Sequence, residues 1–257
     1  LIPWTGGPLA ILLQFAAPGI AAGSCAHSRF ATHPISRLRR TSAFIFAISH
    51  GTSRQRDAII GAVKKQHAFV RGPGYDASDA ELQKWTAVTM LFAGLRAHAV
   101  LGKGVSERDR EVLWRWGFGR FAMALDMPAE MWPRSWDEME RYYLAKIETL
   151  EITPAARRAA RIFLYELTLP WWLRCMGMLP AMRLVMARWL PPRLRREYGL
   201  PDPDGRLAWL GYVVLVWVAR VVLWVLPRRA ERALGEGMRR DMVRAAEDIA
   251  RFGRWMI

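Results

Sequence analysis

The sequence is poor in the residues that build zinc sites and disulfide frameworks. Its 257 residues include only two cysteines, Cys25 and Cys175, which lie far apart and form no CxxC pair. Cysteine usage therefore predicts neither structural zinc nor a disulfide-stapled fold. It is compatible with a reducing or an oxidising compartment.

Several enzyme motifs are also missing. The chain contains no Glu-x-x-His pair of a di-iron carboxylate bundle and no His-Glu-x-x-His of a zinc protease. It has no Gly-x-Ser-x-Gly nucleophile elbow, no P-loop, and no GxGxxG that opens a helix after a strand. These absences argue against the corresponding hydrolases, P-loop nucleotide enzymes and dinucleotide-dependent dehydrogenases.

Acidic residues are scarce, and none precedes Asp57. The chain has 23 Asp and Glu against 38 Lys and Arg, which gives a formal net charge of +15. The basic residues are spread over helical patterns, and no zinc-finger, RNA-recognition or helix-turn-helix signature accompanies them. We therefore predict no nucleic-acid partner and favour an anionic membrane surface as the partner of this charge.

What the sequence does contain is a run of helical patterns. Strand signals are weak, 52% of the residues are hydrophobic, and Gly and Pro mostly separate the helical segments. We predict an all-α protein with a single multi-helix domain. The Pro-rich stretch near residue 200 is the only plausible boundary, so residues 1–200 form the main unit. Residues 201–257 form a C-terminal helical hairpin, packed on the same core or associated with a membrane.

His67 is the strongest candidate metal ligand. It lies at three- and four-residue spacing from Ile60, Val63 and Val70, which places it in an apolar stripe of a helix predicted over 53–70. Apolar surroundings disfavour protonation and leave the neutral imidazole that binds iron. The alternative is a core histidine that is satisfied by hydrogen bonds.

A basic face precedes it on the helix predicted over 34–49. Arg37, Arg40 and Thr41 lie at steps of three and four with the apolar Phe44 and Ile48. Counted outward from the turn near residues 50–52, Arg37 and His67 are about equally far along their helices, at about 1.5 Å per residue. The two side chains can therefore lie level on opposite sides of one pocket. The alternative is a solvated basic face.

A series of short motifs recurs in a fixed order along about four fifths of the chain. They are Gly6-Gly7-Pro8, Leu12-Leu13-Gln14, His27-Ser28, Arg37-Leu38-Arg39-Arg40-Thr41, Gly51-Thr52, His67-Ala68-Phe69-Val70-Arg71-Gly72, Trp85, Thr89, Leu190-Pro191-Pro192-Arg193-Leu194-Arg195 and Tyr198-Gly199-Leu200. In this order and spacing they resemble the MpaB and rubber-oxygenase (latex-clearing protein) family.

The resemblance implies a helical domain over residues 1–200 with a globin-like core that binds haem b. Relatives use dioxygen to cleave carbon–carbon double bonds of polyisoprenoids. It implies that His67 ligates the iron. It also implies that Arg37, Arg40 and Thr41, at the positions of an Arg-x-x-Lys-Thr motif, contact the cofactor, with Arg40 and Thr41 as catalytic residues. The expected function is a haem b-dependent oxygenase acting with dioxygen on an apolar, isoprenoid- or lipid-like substrate.

Two departures from the family pattern keep an alternative open. Arg40 replaces a lysine and, because it stays protonated, is a poor removable iron ligand. The glutamate proposed as catalytic base in rubber oxygenases has no counterpart, since no acidic residue precedes Asp57. The alternative is a non-catalytic haem-binding protein or a membrane-associated helical protein without a cofactor.

The segment from Leu207 to Leu226 raises the question of a membrane. Its twenty residues carry one charge, Arg220, and are long enough to span about 30 Å of hydrocarbon. Three interpretations follow: a buried or groove-forming helix, a helix lying in the membrane interface, or a spanning helix. The predicted location is accordingly cytoplasmic, or peripheral or integral to a membrane.

Overall fold

The protein is almost entirely helical. The computed structural model describes residues 6–102, 104–225, 228–253 and 255. Within these ranges a single two-stranded ribbon interrupts the helices. The prediction of an all-α domain is confirmed.

The helices follow one another with short connections. Their bounds are α1 Gly7–Phe15, α2 Pro18–His27, α3 Pro34–His50, α4 Ser53–His67, α5 Ala80–Leu101, α6 Glu107–Val112, α7 Gly119–Met123, α8 Trp136–Thr149, α9 Pro154–Arg161, α10 Trp171–Cys175, α11 Met178–Trp189, α12 Pro192–Glu197, α13 Arg206–Val225 and α14 Arg228–Phe252. Wider π-helical turns at Leu113–Phe118 and Ile162–Glu166 follow α6 and α9, and a 3-10 turn spans Ala129–Met131.

Helix α4 is three residues shorter than its hydrophobic pattern suggests. Its start is fixed by a capping box, in which Thr52 and Gln55 each bond the other's backbone N–H. The chain leaves the helix after His67, and β1 (Arg71–Gly72) pairs with β2 (Tyr75–Asp76) in an antiparallel ribbon. Gly74 has φ +77°, a conformation that favours glycine, so the tight turn takes the place of a last helical turn.

The hydrophobic pattern predicts one helix over 172–190, and the structure has two, α10 and α11. Gly177 stands between them with φ +68°, in the left-handed region that an L residue rarely adopts. The periodicity of the flanking apolar residues continues across the break, which is why the pattern alone predicts one helix.

Helix α1 lies at the centre of the main core. Leu12 and Leu13 are fully buried, among apolar side chains of α2, α5, α9, α11 and α12. The Trp85 indole N–H donates to the Leu13 carbonyl at 3.1 Å, and the Tyr198 hydroxyl donates to the Leu12 carbonyl at 2.9 Å. These bonds tie α1 to α5 and to the end of α12. Helix α2 leaves α1 at a bend of 104°.

A separate small core joins α14 to the hairpin of α3 and α4. Its buried members are Ala43, Ala47, Ile59, Met242, Ala245, Ala246 and Trp255. Arg39 of α3 reaches Asp241 of α14 with two bonds, of 2.6 and 2.9 Å. The small side chains of the four buried alanines allow the helix backbones to approach closely. The C-terminal helix therefore holds the hairpin that carries the predicted site.

The two last helices contact different parts of the molecule. Helix α14 packs on α3 and α4, whereas α13 packs on α5 and α11. Among the described helices, α13 is the single continuous one long and apolar enough to cross a membrane; the bent pair α1 and α2 passes the same test only jointly. Leu226, the end of the predicted apolar segment, lies outside the described residues. The division at residue 200 stays a prediction.

Candidate site at the open end of the α3–α4 hairpin

Arg37 and His67 lie at the same end of the hairpin. Arg37 belongs to the first turn of α3, and His67 is the last residue of α4. Because the helices are antiparallel neighbours, the start of one meets the end of the other. The charge of Arg37 acts on His67 and lowers the pKa of its imidazole. The two residues thus share one electrostatic environment.

His67 is held in its neutral form. Its side chain is half-buried, and burial is the largest cause that lowers its pKa below 6.5, followed by the Arg37 charge. Asp76 acts in the opposite direction. Burial disfavours the charged imidazolium because protein atoms solvate it less well than water does. A neutral imidazole is the form that binds a metal ion.

Gln83 of α5 is the hydrogen-bonding neighbour of His67. Its amide nitrogen lies 3.4 Å from Nδ1 of His67, and the same nitrogen donates to the Ala77 carbonyl. Gln83 is buried, with 7% of its surface exposed. Within the described part of the chain, Nε2 of His67 has no hydrogen-bond partner. Nε2 is therefore the ring atom that is open to a ligand.

Arg37 is a half-buried cation with only neutral contacts. It donates to the Ser28 hydroxyl and lies over the Phe30 ring, 5.9 Å from its centroid. Burial lowers the pKa of its guanidinium. No carboxylate among the described residues forms an ion pair with it. Such a charge offers an anionic ligand a bidentate partner.

The two other predicted site residues lie further along α3. Arg40 is half-buried, and Thr41 is exposed. On the same helix, the buried face consists of Ser42, Ala43, Ala47 and Ile48. Thr41 therefore points away from the contact with α14, and it is Arg37 whose charge acts on His67.

Sequence reasoning missed the neighbours that complete this site. Gln83 comes from α5, and Tyr75 of β2 lies with its hydroxyl 3.0 Å from Nε2 of His27. One signal for Gln83 was available, since it stands four and eight residues before Ala87 and Leu91, both buried. A polar residue in a buried helical stripe needs a partner. Its partners are His67 and Ala77, which no periodicity reveals.

Among the described residues, no cluster of metal-ligating side chains marks this site. The residues of the site do not line the cavity described below. In the described ranges, no group of three His, Cys, Asp or Glu side chains is arranged to hold a metal ion. A cavity of about 340 Å³ lies elsewhere, against α1, α5, α8 and the end of α11. Its wall consists of Leu9, Phe92, Arg96, Tyr143, Arg188, Trp189, Leu190 and Pro191.

The donor chemistry at the open end of the hairpin fits a b-type haem. A single neutral imidazole would suffice for haem iron, because the porphyrin supplies four ligands of its own. Arg37, a half-buried cation without a carboxylate partner among the described residues, would suit a propionate. As placed, the Gln83 amide nitrogen faces Nδ1 of His67 and favours the ring proton on Nε2, so ligation through Nε2 would require that proton to move to Nδ1 and this hydrogen bond to be lost.

Comparison with known proteins decides the family. The family described as "ER-bound oxygenase mpaB/B'/Rubber oxygenase, catalytic domain" matches residues 1–221. The chain belongs to this family. The matched range includes α1 to α12 and most of α13, and so extends past the predicted boundary at residue 200. No curated protein and no solved structure matches the chain significantly.

Membership in the MpaB and rubber-oxygenase family confirms the resemblance seen in the short motifs. The family is an oxygenase catalytic domain, which supports an oxygenase function for this chain and makes dioxygen and a substrate its implied partners. Family membership alone does not identify the cofactor or the substrate. The residues around His67 are the basis for inferring them.

The state of His67 can be measured without a cofactor. We expect its imidazole to titrate below pH 6.5 in NMR spectra of the apoprotein, and Arg37→Gln to raise that pKa because it removes the neighbouring charge. Between the folded and unfolded pKa values the unfolded chain binds more protons. His67 should therefore make the free energy of unfolding decrease as the pH falls from 6.5 toward the folded pKa.

The matched control is Arg54→Gln, which removes the same charge from an exposed position in the first turn of α4. It should leave the His67 titration unchanged. A His67 pKa at or above 6.5 in the wild-type protein would show that the ring is solvated, and the electrostatic basis of the site would be wrong.

Proposed function

We propose that the protein is a haem b-dependent oxygenase in which His67 is the iron ligand supplied by the chain. The observation that carries the proposal is a neutral histidine with an open Nε2, beside an arginine that has no carboxylate partner, in an oxygenase catalytic domain. When bound, haem b supplies an iron centre that activates dioxygen.

The side chains around His67 have separate tasks in this proposal. Gln83 contacts Nδ1 of His67 and orients the ring. Arg37 pairs with a propionate or stabilises negative charge that develops on oxygen. Ser28 and Phe30 keep the Arg37 guanidinium in place. Arg40 and Thr41 would take part where the cofactor extends along α3.

The substrate that we propose is apolar and isoprenoid- or lipid-like. Support comes from the family, whose description includes a rubber oxygenase. The chain contributes binding and exclusion of water, and the oxidation itself belongs to the cofactor.

Haem reconstitution tests the proposal directly. The purified apoprotein mixed with haem b should give a Soret band and bind about one equivalent, and His67→Ala should lose the histidine-ligated spectrum. The affinity for haem should fall by at least the roughly 10–100-fold that follows loss of a group supporting a metal ligand, since here the ligand itself is removed. Absorption titration gives both readouts.

His33→Ala is the matched control. His33 is exposed, lies just before α3 and bonds only to the Thr32 hydroxyl among described side chains. It should leave the Soret band and affinity unchanged. An unchanged spectrum of His67→Ala would show that another residue ligates the iron. Absence of a Soret band with the wild-type protein would favour a helical protein without a cofactor.

One observation favours a second candidate, a haem-binding protein that is not an enzyme. Asp76 is the one described carboxylate whose charge acts on His67, and it is engaged by the Ser78 backbone N–H at 2.7 Å and by Arg71 at 3.1 Å. No acidic residue precedes Asp57 in the chain. A carboxylate base for proton abstraction is therefore missing from this end of the hairpin.

Turnover separates the two candidates. The haem-loaded protein is reduced without oxygen and then exposed to air together with terpenoids such as squalene. Oxygen uptake with cleaved carbonyl products, detected by mass spectrometry, identifies the enzyme. Stable haem binding without any product identifies the carrier or sensor.

A further inference from the structure

Helix α13 has one face against the protein and one apolar face toward the outside. The inner face is half-buried and includes the small residues Ala208, Gly211 and Ala219. Apart from Arg206 and Arg220, the exposed side chains of α13 are apolar, and they are Leu207, Trp209, Leu210, Val213, Val214, Trp217, Val218, Val221, Val222, Trp224 and Val225. An outward apolar surface of this length marks an interaction site rather than a solvated surface.

Three contacts hold the middle of α13 against the rest of the protein. A Cβ on Gly211 would lie 3.1 Å from the Leu184 side chain, so the backbones approach closely there. The Tyr212 hydroxyl accepts from the Trp189 indole at 3.1 Å. Arg220, the only charge of the segment, donates to the Val100 carbonyl at 2.8 Å.

These contacts decide how α13 can meet a bilayer. A single spanning helix is surrounded by acyl chains, and its middle lies at the centre of the hydrocarbon. Here the middle is fixed to α5 and α11, which would have to enter the bilayer with it. Arg220 is exposed at the edge of the outer face, and its guanidinium reaches back to the Val100 carbonyl of α5. The geometry suits a helix lying in the interface with its outer face in the lipid.

The neighbouring helix α10 extends the apolar surface. It packs on α11, as α13 does, and its Trp171 and Met176 are 77% and 70% exposed. Tryptophan is favoured at the boundary between hydrocarbon and head groups, because its ring is apolar and its N–H is polar. Two separate elements therefore present tryptophans and aliphatic side chains to the outside around α11.

The charges of this region specify the kind of lipid. Residues 167–196 and 206–225 contain eight arginines and no Asp or Glu, and two of these arginines, Arg188 and Arg195, pair with Asp204 and Asp202 of the connecting loop. Arg174 and Arg206 are exposed. Anionic head groups attract such a surface, with about 1 kcal/mol per basic residue near the membrane. A zwitterionic surface offers no comparable attraction.

We propose that the outer faces of α13 and α10 dock the protein on an anionic lipid bilayer, with α13 lying parallel to the membrane plane. The outer side chains of α13 and Trp171 enter the interface, and the surrounding arginines contact the head groups. This inference does not depend on the cofactor.

Vesicle flotation tests the proposal with the full chain. Wild-type protein should float with phosphatidylcholine vesicles that contain phosphatidylserine, and should bind pure phosphatidylcholine much more weakly. Val214→Asp should reduce the partition coefficient about tenfold or more, because a carboxylate enters the hydrocarbon edge. Val112→Asp, which changes an equally exposed valine on α6 (52% against 50%), should float like the wild type.

Depth measurements separate a lying from a spanning helix. Spin labels are attached to Leu210→Cys, Trp217→Cys or Trp224→Cys in a Cys25→Ser/Cys175→Ser background, and EPR power saturation reports their depth. Equal, shallow depths support the proposal. A label at 217 that is much deeper than the others overturns it in favour of a spanning helix.

Two further outcomes also overturn the proposal. Equal binding to both kinds of vesicle would show that the arginines do not contribute to membrane binding. Absence of vesicle binding together with a dimer that Val214→Asp dissociates, measured by light scattering, shows that a second copy of the chain covers this face. Circular dichroism of both valine variants confirms that they are folded.

Discussion

Replacing Trp85 with alanine is expected to reduce the free energy of unfolding by about 3–5 kcal/mol, the range found for loss of a large buried aromatic side chain. Trp85 is 1% exposed and lies on α5, directly against α1. The loss has two parts, the apolar contacts of the ring and the cavity that remains, since the surrounding helices cannot close on it fully.

The surroundings of Trp85 explain why the cavity would persist. Its ring stacks on Tyr143 with centroids 6.0 Å apart and meets Tyr142 nearly edge-on at 6.3 Å. Tyr142 is itself fixed by a hydrogen bond of 2.9 Å to Glu81. These partners are anchored on α8 and α5, so they cannot move into the empty space without breaking other contacts.

Trp85→Phe separates the ring from its hydrogen bond. The Leu13 carbonyl that accepts from Trp85 also accepts from the Ala16 backbone N–H at 3.2 Å, so it keeps one partner in the variant. We therefore expect Trp85→Phe to cost clearly less than Trp85→Ala. Trp116→Ala, at a site 59% exposed, is the control and should change stability by about 0.5 kcal/mol or less. Equal losses for both alanine variants in urea unfolding would contradict this account.

The helix starts are the part of the fold that local sequence determines. Pro18, Pro34 and Pro154 open α2, α3 and α9, where the missing N–H costs nothing. Thr52 and Ser106 cap α4 and α6 with their hydroxyls, as their positions before apolar runs predict. Each of these signals acts within four residues of itself and needs no tertiary contact.

The breaks between helices and the contacts between distant residues are less predictable from the sequence. The wide turn at Leu113–Phe118 follows α6 without a Gly or Pro at its start, and the Trp132 indole N–H donates to the Trp114 carbonyl within it at 3.1 Å. For the site, the spacing of Arg37 and His67 from the turn indicates that they lie level. The approach of Gln83 depends on the β-ribbon that returns the chain toward α4, and this is a tertiary property.

Whether α13 contacts a membrane is likewise not predictable from local sequence. The sequence from Leu207 onward defines an apolar helix with one arginine, and that pattern permits burial, interfacial docking or spanning. The contact of Arg220 with the Val100 carbonyl, on which the proposed interfacial docking depends, joins residues 120 positions apart. No period or local motif records such a contact.

Ala245→Leu is expected to reduce the free energy of unfolding by about 1–3 kcal/mol, as overpacking of a filled interior does. Ala245 is fully buried where α14 meets α3 and α4, among the equally buried Ala43, Ala47 and Ile59. Three additional carbon atoms have no room there, so α14 must move outward or leave the hairpin. The Arg39–Asp241 pair, half-exposed, is too weak to hold it alone.

The consequence should reach the candidate site, because Arg37 and His67 lie on the two helices that α14 joins. Hydrogen exchange should become faster in α3 and α4 and remain unchanged in α1 and α5, which belong to the main core. If the hairpin binds haem, its affinity should fall together with this local stability, since a ligand site needs its two sides at a fixed distance.

Ala250→Leu makes the same change on the exposed side of α14 and should alter stability by about 0.5 kcal/mol or less. If Ala245→Leu destabilised the chain without faster exchange in α3 and α4, α14 would not be what holds the hairpin. If exchange increased and haem affinity did not change, the cofactor would lie elsewhere. The variant therefore tests whether the C-terminal helix, beyond the range matched by the family, is needed for the site that lies within it.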